Sequence, residues 1–179
     1  MKATGATLTE LLVVLAIAAI LVGLAIPGFV SFVHSSRLSA ATTELLVSLH
    51  LARSEAIKRN ARTAICVSAD GLICASGGGW QQGWLIFHDP NNNAALDPGE
   101  TVIHARQALP DSIRLTGNST VSKYVSYAPS GVTKSVTGAF QAGTLTVCNG
   151  ADASGAARRV VISSTGRPRV ARVTLASCP

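Results

Sequence analysis

From Leu11 to Val33 the chain runs for 23 residues without a charge, reading LLVVLAIAAILVGLAIPGFVSFV. About 20 such residues cross a bilayer as a helix. Beyond this run the apolar positions thin out to steps of three and four: Leu38, Ala41, Leu45, Leu49, Ala52 and Ala56. Arg37, Glu44, Arg53, Lys58 and Arg59 fall mostly off that stripe. The spacing predicts that the anchor helix continues to about Arg62 and packs one face on a globular head. After Arg62 the texture changes. Short β-rich runs follow at 63–67, 84–87, 101–103, 112–115, 124–127, 144–148 and 159–163, with Gly, Asn, Pro and Ser between them. The expected fold class is α+β: a long N-terminal helix, transmembrane then amphipathic, followed by a β-rich head.

Composition narrows this picture. The chain has 179 residues, enough for one ordinary domain and an appendage. Apolar residues make up 47%, which excludes disorder by composition, and charged residues only 13%. The net charge of +6 is uneven. Cys66–Glu100 holds four acids and no Lys or Arg, whereas Thr101–Pro179 holds nine basic residues and two acids.

Glu10 decides between readings of the N-terminus. A carboxylate at the edge of an apolar span is costly and normally has a partner. A cleaved secretory signal has the right apolar core, but an acid just ahead of that core is unusual, and Pro27 and Phe29 make a poor small-residue cleavage site. A plain anchor is the bland alternative, in which Glu10 merely sits among headgroups. If the chain is cut after Gly5, Ala6 becomes the new N-terminus and Glu10 the fifth residue. The freed amine and the carboxylate then share a helical face. They can pair within one chain or between neighbouring copies, fixing the stagger as helices pack side by side.

Gly5-Ala6-Thr7-Leu8-Thr9-Glu10-Leu11-Leu12 resembles the class III signal of type IV pilins and pseudopilins. That resemblance implies cleavage after Gly5 by a prepilin peptidase, N-methylation of Ala6 and a role in assembly for Glu10. The family usually has Phe where this chain has Ala6. Pro27, the twenty-second residue of the cut chain, also sits where pilins often carry proline. The expected organisation is a leader over 1–5, a membrane half-helix over 6–33, an amphipathic half-helix over 34–62 and a head over 63–179.

Four cysteines allow two disulfides. Cys66 and Cys74 flank Asp70-Gly71, which reads as a hairpin turn. Of the three connectivities, Cys66–Cys74 with Cys148–Cys178 is the simplest. Disulfides fit an oxidising space such as the periplasm. Asp89, Asn91, Asn93, Asp97 and Glu100 have the spacing of a calcium loop, but Ala94 stands where its glycine belongs, so a metal-free turn is expected. Trp80 and Trp84 read as core. The stretch Gly79–Glu100 is similar to the Gly-Trp…Gly-Trp-x-Ile-Phe-x-Asp-x-Asn segment of the GspH/FimT family of minor pilins and pseudopilins. Tyr127-Ala128-Pro129-Ser130-Gly131 and Gly166-Arg167 resemble it as well.

Arg158, Arg159, Arg167, Arg169 and Arg172 fall within fifteen residues. In an extended segment Arg167 and Arg169 share a face, and Pro168 between them disfavours a central strand. Two guanidinium forks on one exposed face suit phosphate recognition. Gly166-Arg167-Pro168-Arg169 matches a Gly-Arg-x-Arg motif implicated in DNA binding in FimT-type members, so the resemblance implies DNA contact here. The bland alternative is a solvated basic edge that keeps strands from aggregating.

Enzymatic signals are poor. Gly150 and Gly155 have P-loop spacing, yet Ala156-Ala157 follow instead of Lys and Ser/Thr. His34, His50, His88 and His104 show no ligand spacing. Neither an enzyme, a cofactor nor a metal site is expected. The expected protein is a minor pilin or pseudopilin. Its partners are other pilin subunits, the prepilin peptidase, the inner membrane and DNA through phosphates. It begins as a single-pass inner-membrane protein with a periplasmic head and ends in a filament. The competing expectation is a structural pseudopilin of a type II secretion system that binds no DNA.

Overall fold

A computed structural model of the chain describes residues 7–150 and 155–179. It divides into two compact units, Met1–Ser36 and Arg37–Pro179. Helix α1 (Leu8–Arg59) supplies all the described structure of the first unit and begins the second. Its apolar N-terminal side chains, from Leu11 to Ile17, are exposed. This helix is long and apolar enough to cross a membrane.

In the second unit the predicted stripe faces inward: Leu45, Leu49, Ala52 and Ala56 are fully buried. The three stripe alanines bring the helix close to the head, while Leu45 and Leu49 fill the core. Burying each leucine contributes about 1.5–3 kcal/mol. The helix stops at Arg59, three residues before the predicted limit. Asn60 takes a left-handed conformation (φ 49°), and the Ala61 amide donates to the Ala56 carbonyl. That is the glycine-type C-terminal cap with asparagine in the glycine's place.

Among the described residues eight strands follow: β1 (Thr63–Val67), β2 (Trp84–His88), β3 (Val102–Arg106), β4 (Ile113–Gly117), β5 (Tyr124–Tyr127), β6 (Gly143–Asn149), β7 (Gly155–Ile162) and β8 (Pro168–Leu175). They form two antiparallel sheets, ordered β3-β2-β1-β5 and β4-β6-β7-β8. One core joins the helix stripe to Ile65, Trp84, Ile86 and Val125 of the first sheet and to Leu115, Leu145, Val160 and Ile162 of the second. β1 is buried on both faces, because Ala64 and Cys66 pack with Leu85 and Phe87 in a smaller cluster on the far side. Trp80 and Trp84 are fully buried, and their indole N–H groups donate to the Val121 carbonyl and Ser48 Oγ, both at 2.9 Å.

Cys66 pairs with Cys74 and Cys148 with Cys178. The Cys66–Cys74 segment is not a two-stranded hairpin. β1 pairs with β2 and β5 instead, and residues 68–74 form an irregular loop. Asp70 organises that loop by accepting the Leu72 and Ile73 amides at 2.8 and 3.2 Å, which lowers the pKa of its carboxyl. Local side-chain acceptors here win over a ladder.

Candidate functional site

At the start of α1, Thr7 and Glu10 bond to each other. The Thr7 amide and hydroxyl donate to Glu10 Oε2 at 2.8 and 3.0 Å, and the Glu10 amide lies 3.3 Å from Thr7 Oγ1. This is a reciprocal capping box, with Thr7 as N-cap and Glu10 three positions on. The Thr-x-x-Glu signal was readable in the sequence, but the reading assigned Glu10 only to pairing with an amine. Gly5 and Ala6 lie outside the described residues.

The basic residues near the C-terminus are held by β7, β8 and the turn between them. Register separates them. Arg158 stands opposite Arg172, on the same face as core residues Val160 and Ile162. Arg159 stands opposite Ala171, and Arg169 opposite Val161, on the outer face. Five arginines close in sequence therefore do not make one surface, because side chains alternate along a strand with period two. Arg159, Arg167, Arg169 and Arg172 are exposed. β8 is an edge strand and Pro168 is its first residue, where the missing N–H costs no ladder bond.

Gly166 is buried and left-handed (φ 77°), and a Cβ there would strike the Gly131 carbonyl oxygen. That carbonyl accepts from Arg53 Nε at 2.9 Å, while Thr133 Oγ1 donates to the Ser163 carbonyl at 3.1 Å. The turn carrying Arg167 is thus seated on the 131–133 segment, and Gly166 positions it rather than offering a contact of its own. Gly166→Ala should cost about 2 kcal/mol or more, combining left-handed strain with the backbone clash. The check is a lower urea midpoint in equilibrium unfolding.

The 89–100 loop is closed by its own polar groups. Buried Asp89 accepts the Asn93 and Ala94 amides, both at 3.1 Å. Asp97 accepts the side-chain amides of Asn91 and Asn93, both at 2.7 Å, which lowers the pKa of its carboxyl. Ala94 is left-handed (φ 56°) at the position where a calcium loop has glycine. Among the described residues no three His, Cys, Asp or Glu side chains converge on a metal site.

On the outer face of the second sheet a groove of about 350 Å³ is lined by Thr116, Gly117, Asn118, Thr144, Thr146, Arg159 and Pro179. The sequence reading named Arg159 but missed the threonines. Only strand register brings them together.

Residues 41–166 match the family model described as type II transport protein GspH. The pilin-like protein PilA1 of Thermus thermophilus is 34% identical over 177 residues, covering 95% of this chain and 99% of the relative. Two crystal structures of the Pseudomonas aeruginosa type IV minor pilin FimU share the fold. Their TM-scores are 0.59 and 0.56 at 20% identity, covering 83% and 79% of this chain and 99% and 100% of theirs. The long apolar helix, the two-sheet head and these likenesses agree: the chain belongs to the GspH family of type IV minor pilins and pseudopilins.

Proposed function

We propose that this chain is a minor subunit of a type IV pilus whose basic C-terminal edge binds DNA for uptake in natural transformation. It is cut after Gly5 by a prepilin peptidase, methylated at Ala6 and held in the inner membrane by α1 until a filament machine extracts it. Glu10 sets the register between subunits and the head faces outward. The observation that carries the assembly reading is the exposed apolar helix with a single carboxylate at its head. An apolar surface of this length needs either lipid or other helices around it. The DNA reading is supported by Arg167 and Arg169, both exposed at an edge with no described acid nearby in the chain after Asp111. Such binding is weak, tolerant of sequence and steeply salt-dependent, because phosphate contacts carry no base information and release counterions.

A second reading, a pseudopilus subunit of a type II secretion system without DNA binding, is favoured by the description of the matching family model. Both readings share the same maturation. Mass analysis of the mature chain should show the first five residues missing and one methyl group added at Ala6. An intact Met1 would count against both.

A further inference from the structure

We propose that the groove on the outer face of the β4-β6-β7-β8 sheet seats the sugar–phosphate backbone of duplex DNA, with Arg159 as its anchoring cation. The inference rests on the DNA reading above and names the surface that does the binding. In the ladder, Thr116 pairs with Thr146 and Thr146 with Arg159, so these three form a row across three strands. Thr144 lies two residues along β6 on the same face. None of the three threonine hydroxyls, nor the Arg159 guanidinium, has a hydrogen-bond or ionic partner among the described residues. The groove therefore presents three hydroxyls and a planar five-donor cation. That set matches the phosphate oxygens and the deoxyribose ether oxygens of a DNA backbone.

The groove is also continuous with the edge. Arg169 is the diagonal neighbour of Arg159, two residues from its partner Ala171, which puts their Cα atoms about 7–8 Å apart. A strand held at Arg159 is handed on to Arg169 and then to Arg167 in the turn. Charge complementarity selects the occupant. From Ser112 to the end of the chain, Asp152 is the only acid, against eight Lys and Arg. Arg158 and Arg172 point to the opposite face and take no part.

The test uses the full chain in non-ionic detergent micelles, with a short duplex DNA of random sequence as the probe, followed by anisotropy across a salt series. Arg159→Gln combined with Thr146→Val should weaken binding about tenfold or more and lower the salt slope by about one. Thr146→Ser alone, which keeps the hydroxyl, should bind like the parent. Arg158→Gln with Arg172→Gln removes more charge from the other face and should change affinity less than about twofold. Loss of binding in Arg167→Gln/Arg169→Gln but not in Arg159→Gln/Thr146→Val would overturn the groove and spare the DNA reading. Equal weakening by Arg158→Gln/Arg172→Gln would also overturn it, since binding would then follow net charge. No binding by the parent chain would sink both.

Discussion

Glu10→Ala is expected to leave the chain in the membrane and remove it from filaments. Alanine makes the anchor a better lipid helix, since an acid costs about 2.5–3.5 kcal/mol at the centre of an apolar span and less at its edge. In a packed bundle of such helices the effect reverses. There the freed amine of a neighbouring subunit loses its counter-charge, and breaking a buried pair by removing one partner costs about 3–5 kcal/mol. That corresponds to a fall in incorporation of about a hundredfold to a few thousandfold. The capping box adds a complication that a second variant resolves. Glu10→Ala also loses the cap on Thr7, worth about 1 kcal/mol of helix stability. Glu10→Gln keeps a capping-box residue and removes only the charge. Equal loss of incorporation in both variants assigns the effect to the charge; assembly of the glutamine variant at the parent level assigns it to the cap. Immunoblotting of membrane and filament fractions reads both.

The second large effect concerns DNA. Arg167→Gln with Arg169→Gln should abolish retardation of DNA by the chain in low salt while leaving the thermal midpoint unchanged. Both side chains are exposed, and neither has a partner among the described residues, so their removal costs the fold little. Each lost phosphate contact should lower the salt slope by about one. Retardation equal to the parent's would remove this arginine pair from the DNA reading; if it also persists once Arg159→Gln is added, the reading is discarded and the secretion-type subunit is the better account.

What the sequence made legible follows the strength of its periodic signals. The α1 stripe, from Leu38 to Ala56, was readable because six apolar positions repeat at helical steps and all six are buried. Seven of the strands were readable as β-rich runs. β8 was anticipated only as an edge or loop, because it opens on proline and repeats Arg-Val at a three-residue step, a period that marks neither strand face as buried. The Cys66–Cys74 turn misled for a related reason. Asp70-Gly71 does make a turn, but the partners of β1 are far away in sequence, and a local pattern does not register them. The same limit governs the candidate site. Gly166, Arg167 and Arg169 were named from a short motif, yet the burial of Gly166 depends on Gly131, thirty-five positions earlier. The division of Arg158 and Arg172 from Arg159 and Arg169 needed only strand parity once the β7–β8 pairing was in place. The Thr116–Thr146–Arg159 row needed the order of three strands, which no local run of residues encodes.

The central claim is that this chain becomes part of a filament through its N-terminal helix. The most direct measurement is recovery of the chain in filaments sheared from cells, washed free of membranes and probed with an antibody to the head. The account predicts that the chain is found there, at a low ratio to the major subunit. Its confinement to the membrane fraction in cells that are making filaments would contradict the account.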